Sequence, residues 1–211
     1  VPSVKSTEIG QKALNWMDVL RVSHIPVVDD SKYLGIISDK LIYDLNLLDV
    51  PIKKELNKLD TSHTHKDQHI FEVAILMYKL KLSVLPVVDT DHYYIGAITL
   101  YDLARRFARL FSLQEVGGVI VLEMNVNDYS LSQISQIVES NNTKILSFFM
   151  NRNPGSSNLD LIIKLDKVEL SPVIQTLTRY NYNVKAVYMD DSMLNDLYKD
   201  RYEQFMKFMN I

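Results

Sequence analysis

The sequence predicts an α+β chain: a βαββα unit used twice, then a βαββαβ block and a closing helix. Three observations predict it. The segment Ser23-His24-Ile25-Pro26-Val27-Val28-Asp29 recurs sixty positions later as Ser83-Val84-Leu85-Pro86-Val87-Val88-Asp89, the mark of one supersecondary unit used twice. Each copy then passes through a tyrosine-containing turn to a glycine, Tyr33-Leu34-Gly35-Ile36-Ile37-Ser38 and Tyr94-Ile95-Gly96-Ala97-Ile98-Thr99. From about Gln114 this repeat stops, and new alternating and helical patterns begin.

In the first unit, Ile9, Ala13, Leu14, Trp16, Met17 and Leu20 fall at helical spacing; so do Ile70, Val73, Ala74, Met77 and Leu80 in the second. Ile25–Val28 and Leu85–Val88 are short apolar runs rich in β-branched residues and read as buried strands. Asp29-Asp30-Ser31-Lys32 and Asp89-Thr90-Asp91-His92 are turn chemistry, each followed by a second strand. Ser38 and Thr99 end those strands in position to cap the next helix. Val27, Val28, Ile36 and Ile37, with Val87, Val88, Ala97 and Ile98, are expected to form the core of two units related by a pseudo-twofold.

Downstream, Gly117 to Met124 reads as a strand and Ser130 to Asn141 as an amphipathic helix capped by Ser130. Lys144 to Met150 is a strand, 151–157 a long turn, and Leu159 to Leu165 an alternating strand. Leu170 to Tyr180 is a helix with Pro172 in its first turn, and Val184 to Met189 is the last strand. This order, βαββαβ, is the ferredoxin-like plan. Ser192 to Asn210 carries an apolar stripe (Leu194, Leu197, Tyr198, Phe205, Met206, Met209) and is expected to be a C-terminal helix docked on this block.

The IPVVD and LPVVD cores, the glycines Gly35 and Gly96, and Gly96-Ala97-Ile98-Thr99-Leu100-Tyr101-Asp102 carry a resemblance to the cystathionine-β-synthase (CBS) domain, two in tandem resembling a CBS pair over roughly residues 1 to 110. The last segment fits the family's nucleotide pattern of glycine, two apolar residues, Ser or Thr, two variable residues and Asp. Placed after such a pair, the βαββαβ block resembles an ACT-like domain, and the whole chain is similar to the acetoin-utilization B family. The implied division is 1–58 and 59–113 for the repeats, 114–190 for the ACT-like domain and 191–211 for the helix.

A hydroxyl at a helix N-terminus beside unpaired N–H groups suits an anion, and a carboxylate three residues on lies on the same helix face. The resemblance implies these roles, with Asp102 accepting from a ribose diol, for Thr99 and Asp102. The same spacing is equally that of a capping feature. In the first copy, Ser38 is kept but Leu41 stands where the ribose-binding Asp belongs, so that site is expected to be weak or empty. His24, two before Pro26, sits where the family often carries a basic residue near phosphate; it reads equally well as a half-buried strand residue. The implied ligand is an adenine nucleotide (AMP, ADP or ATP) or S-adenosylmethionine, with no catalytic cofactor.

Other patterns point to surfaces. His63 and His65 share a face of an extended stretch near His69 and could hold a transition metal, but no cysteine or carboxylate stands at ligand spacing, so a solvated strand edge is expected. Arg105, Arg106 and Arg109 read as a solvated helix face. The turn Asn125-Val126-Asn127-Asp128-Tyr129 lacks the glycine of amino-acid-binding ACT domains, and Tyr129 would crowd such a ligand; packing or dimerisation is expected there.

The chain has 211 residues, 47% of them hydrophobic, a net charge of -3 and no cysteine. That suffices for two domains, and no basic block suggests nucleic-acid binding. No apolar run reaches the ~20 residues that span a bilayer. A cytoplasmic protein without a signal peptide is expected, with a short leading segment before Val1. Three function classes follow: a regulatory sensor of an adenosyl ligand acting through shape change, a non-catalytic scaffold with degenerate sites, and an enzyme. No paired carboxylates, Ser-His-Asp order or metal triad can be placed on one surface, which disfavours the enzyme. Ile42, Leu45, Leu47 and Leu48 suggest more apolar surface than one module covers, and with it a homodimer.

Overall fold

The sixty-residue repeat is written directly into the backbone of the computed structural model, which describes residues 1–152 and 155–189. In the first copy, helix α1 (Gly10–Leu20) leads to strands β1 (His24–Asp29) and β2 (Lys32–Ser38) and helix α2 (Asp39–Asp44). In the second, strand β3 (Thr64–His65) precedes α3 (Ile70–Leu80), β4 (Val84–Val88), β5 (Tyr94–Thr99) and α4 (Leu100–Leu110). Both α1 and α3 stop at a left-handed residue, Arg21 and Lys81 respectively, whose N–H groups close the last helical turn. The opening strand is short in both copies. Val4 makes a single parallel bridge to Val27, and sixty positions on, Thr64 pairs with Val87.

The turns explain why the repeat is sixty residues in the first strand and sixty-one in the second. Asp30 and Ser31 both have positive φ (47° and 66°), forming a tight two-residue hairpin. The second turn has one more residue, with Asp89 Oδ1 accepting from the N–H groups of Asp91 and Tyr93 and only His92 left-handed. The two hairpins meet tip to tip through reciprocal backbone bonds: Tyr33 N–H donates to His92 O (3.1 Å) and Tyr94 N–H to Ser31 O (2.8 Å). Tyr33 corresponds to Tyr94 and Ser31 to His92, so this pair of bonds is the expected pseudo-twofold made visible. The sheets remain separate, β1-β2 and β3-β4-β5.

Burial is less even than the repeat implies. Val27, Val28, Ile36, Ile37 and Val88 are buried, whereas Val87, Ala97 and Ile98 are only half-buried. The linker accounts for the difference. Ile36 N–H donates to Asp60 O (2.6 Å), and Leu59 lies against Gly35, where an added Cβ would stand 2.7 Å from the Leu59 Cβ. At Gly96 nothing among the described residues lies within 4 Å of such a Cβ. The apolar residues after Leu41 are also accounted for within the unit. Ile42 and Leu47 are buried, and Leu45 and Leu48, partly buried, pack on the same cluster, so much of this apolar surface is used within the unit.

The chain's two compact units divide between Arg106 and Phe107. In the second, β6 (Val119–Asn125), α5 (Leu131–Ser140), β7 (Ile145–Arg152), β8 (Asn158–Leu165), α6 (Ser171–Arg179) and β9 (Asn183–Tyr188) follow the expected βαββαβ order. The sheet runs β7-β8-β6-β9, antiparallel throughout, with β6 central. Alternate residues Ile120, Leu122 and Met124 of β6 and Leu159, Leu161 and Ile163 of β8 face Ile134, Ile137 and Val138 of α5 and Val173, Ile174 and Leu177 of α6. Each such side chain contributes about 1.5–3 kcal/mol when fully buried. Tyr129 packs against this core. Ser130 caps α5 by accepting from Gln133 N–H, and Pro172 sits in the first turn of α6. The helix expected over 191–211 lies outside the described residues.

Candidate ligand site at the mouths of the two hairpins

Each repeat brings the start of its first long strand onto the start of its last helix. Asp39 N–H donates to Ser23 O (3.1 Å), and Leu100 N–H to Ser83 O (3.2 Å). Across the hairpins His24 is in register with Ser38, and Val84 with Thr99. A polar relay joins the copies here. Ser23 N–H donates to Ser83 Oγ (2.9 Å), Ser83 N–H reaches His24 Nδ1 (3.3 Å), and Ser83 Oγ lies 3.0 Å from the same nitrogen. Because Nδ1 accepts from a backbone N–H, it carries no proton, and the Ser83 hydroxyl donates to it. His24 is thereby fixed as the Nε2–H tautomer. Burial lowers its pKa, outweighing the opposing fields of Asp39 and Asp60, and keeps it neutral near pH 7.

Two clefts flank this relay at equivalent places in the repeats. One, of about 540 Å³, is lined by His24, Lys79, Lys81, Leu82, Ser83 and Leu100 among others. Its counterpart, of about 620 Å³, is lined by Asp18, Arg21, Val22, Ser23, Asp39 and Tyr43 among others. Both volumes fall in the range of small-molecule sites, roughly 300–1,000 Å³.

Thr99 and Asp102 are brought together, but as a cap. Thr99 N–H and Oγ–H both donate to Asp102 Oδ2 (3.1 and 2.7 Å), and Asp102 N–H donates back to Thr99 Oγ1 (3.0 Å), the reciprocal pattern of a capping box. The Thr99 hydroxyl, its backbone N–H and then the Arg105 guanidinium (3.7 Å from Oδ1) hold the Asp102 carboxyl below its usual pKa. Oδ2 is taken up by the cap; Oδ1 keeps acceptor capacity. In the first repeat Ser38 Oγ accepts from Leu41 N–H (3.1 Å), and with Leu41 in place of an acid nothing returns the bond. Asp39 Oδ1 turns to its neighbour, Lys40 N–H.

Of the four expected site residues, His24 lines one of these two clefts, and Ser38, Thr99 and Asp102 line neither; Asp39 and Leu100, which follow Ser38 and Thr99 in the chain, are on the walls. Ser83, Lys79 and Lys81 were not among the expected residues. The identity of Ser23 and Ser83 at one repeat position was the available signal.

The remaining histidines do other work. His69 Nδ1 accepts from Phe71 N–H and caps α3. His63 and His65 face the carbonyls of Thr61 and Val88, with His63 in edge contact with both His65 and His92. Among the described residues no group of three or more His, Cys, Asp or Glu is placed to hold a metal, and no helix is long and apolar enough to cross a membrane.

The profile of the CBS domain family matches residues 11–45 and 63–109, one stretch in each repeat. An inosine-5'-monophosphate dehydrogenase of Methanocaldococcus jannaschii is 32% identical over 141 residues, 66% of this chain but 28% of that enzyme. An L-aspartate semialdehyde sulfurtransferase of the same organism is 32% identical over 90 residues, 41% of this chain and 17% of that protein. The chain thus spans under a third of these relatives, and it matches the dehydrogenase through its CBS domains. Among solved structures, a CBS domain pair/ACT domain protein from Thermotoga maritima is 22% identical with a TM-score of 0.44, covering 51% of this chain and 88% of that one. CBSX2 in complex with AMP is 26% identical, TM-score 0.41, with 52% and 88% covered.

Proposed function

With its N-terminal half a pair of CBS domains, we propose that this chain is a regulatory, non-catalytic protein that binds an adenine nucleotide or adenosyl derivative in that pair and transmits occupancy as a change of shape. The observation that carries this reading is the His24–Ser83 relay. It ties the two repeats together beside a cleft whose lining includes a neutral imidazole from one repeat and residues drawn largely from the other. In this reading His24 meets the ligand's 5′ substituent, Thr99 and the N-terminus of α4 favour its anionic end, and Asp102 Oδ1 accepts from the ribose. Ser38 serves the weaker site of the first repeat. A ligand that displaces His24 or draws it inward alters the inter-repeat bond, and a shift in the angle between packed units is a recognised output of this kind.

The reading divides the chain at 1–58, 59–113 and 114–190, with the last an ACT-like domain of the acetoin-utilization B type acting in packing, and it places a homodimer in the cytoplasm. Thermal shift and isothermal titration with AMP, ADP, ATP and S-adenosylmethionine test it. Stabilisation by at least one, with micromolar affinity, is expected; no shift with any of them, in folded protein, favours the scaffold with degenerate sites, for which Leu41 speaks.

A further inference from the structure

The two clefts occupy the same place in the repeat, yet the net charge of their linings has opposite sign. Met17 and Met77, Val22 and Leu82, and Ser23 and Ser83 are equivalent and line both. Around that shared floor, Asp18 in the first cleft becomes Tyr78 in the second, and Asp39 becomes Leu100. The second cleft gains Lys79 and keeps a cation at Lys81, where the first has Arg21. Arg21 lies 3.5 Å from Asp18, so the one cation of the first cleft is already opposed by an acid, and Asp39 is left over. The lining of the second cleft has two ammonium groups, the Nε2–H of His24 and no carboxylate among the described residues.

We propose that the two clefts sort adenosyl ligands by charge: the His24–Lys79–Lys81 cleft takes a phosphorylated adenine nucleotide, and the Asp18–Asp39 cleft takes an adenosyl ligand whose 5′ substituent is cationic. This rests on the adenosyl-ligand reading above and adds the selectivity. A terminal phosphate carries about −1.5 to −2 charge near pH 7. Lysines and an imidazole N–H supply the charge-assisted donors it needs, while Tyr78, Leu82 and Leu100 offer apolar surface to the base. In the first cleft the same phosphate would meet Asp39 beside an Asp18–Arg21 pair of no net charge, whereas the sulfonium of S-adenosylmethionine would be attracted by the surplus carboxylate.

The test is isothermal titration of the full chain with ATP, then with S-adenosylmethionine in the presence of saturating ATP. One equivalent of ATP and one further equivalent of S-adenosylmethionine are expected. Lys81→Glu should weaken ATP by about tenfold or more, a loss of the size expected for one charge-assisted contact, and leave S-adenosylmethionine within about twofold. Asp39→Lys, with Asp18→Lys as the second variant on the exposed face of α1, should weaken S-adenosylmethionine and admit a second equivalent of ATP. Two equivalents of ATP in the unaltered chain, competition of the two ligands for one site, or charge reversals that change both ligands alike would overturn the sorting while leaving the adenosyl reading standing. No heat with either ligand would overturn both.

Discussion

The hydroxyl of Ser83 lies 3.0 Å from Nδ1 of His24, fifty-nine residues away in sequence, and donates its proton there. The bond has no counterpart at the equivalent pair, Ser23 and Val84, because valine offers no acceptor. A near-symmetric module is thus stitched by one asymmetric contact, and the asymmetry falls beside the cleft in which a nucleotide is proposed to bind.

The first prediction follows from that bond. Burial holds the folded pKa of His24 below its ordinary value of 6.5. As pH falls through about 6.5, the unfolded chain takes up a proton that the folded chain refuses. His24 therefore contributes full stability above that value and loses it progressively below, until the folded imidazole also titrates. His24→Asn places an amide oxygen near the position of Nδ1 and cannot titrate. Urea midpoints measured from pH 7.5 to 5 should fall less steeply in the variant. Equal slopes in the two proteins would show that His24 is not the group responsible.

The second prediction separates the two roles of Asp102. Its cap on α4 should contribute about 0.5–2 kcal/mol to stability, so Asp102→Ala should lower the denaturation midpoint. If Asp102 also accepts from a ribose, the variant should bind nucleotide about tenfold or more weakly, measured by titration well below its unfolding transition. Asp102→Asn retains a side-chain oxygen for the cap and should recover most of the stability. Asp102→Ala with lowered stability and unchanged nucleotide affinity would leave the capping box as the whole of its role.

The repeat, its strands and its caps were legible because they depend on local chemistry. The IPVVD and LPVVD runs, Ser38 and Thr99 at strand ends, and Ser130 before α5 each act within a few residues. What was not legible depends on docking. The Ser83–His24 bond requires knowing how the two copies meet. The half-exposure of Ala97 and Ile98 arises because the linker at Leu59 and Asp60 covers β2, and among the described residues nothing similar covers β5. Leu45 and Leu48 suggested free surface because the sequence does not show that α1 and the residues after α2 share one apolar cluster.

The third prediction turns that unevenness into a comparison of equivalent glycines. At Gly35, φ is +152° and a Cβ would press on Leu59 and on Asp60 O at 3.0 Å. At Gly96 the space is open among the described residues. Gly35→Ala should cost about 1–3 kcal/mol through overpacking, whereas Gly96→Ala should lie between neutral and a gain of about 0.4–1 kcal/mol from lost unfolded-state entropy. Equal losses at both positions in chemical denaturation would mean that the linker does not pack on β2 as described.

The fourth prediction is a homodimer built on α1 and α3. The residues after Leu41 are used within their own unit, but Val19 is 69% exposed, Ile75 52% and Phe71 48%, and Trp16 is open as well. These are large apolar side chains on corresponding helices of the two repeats. A twofold assembly lets such a patch meet itself and closes without leaving a further copy of it free. A stable interface of this type should bury more than about 2,000 Å² in total, with the aromatic residues near its centre carrying most of the binding energy. Sedimentation at micromolar concentration should give twice the 24.4 kDa chain mass. Ile75→Glu combined with Val19→Glu should return the monomer with its circular dichroism unchanged, since neither side chain contributes to the buried core. A 24.4 kDa species in the unaltered protein, with and without ATP, would remove the dimer and any signalling route that depends on the angle between two subunits.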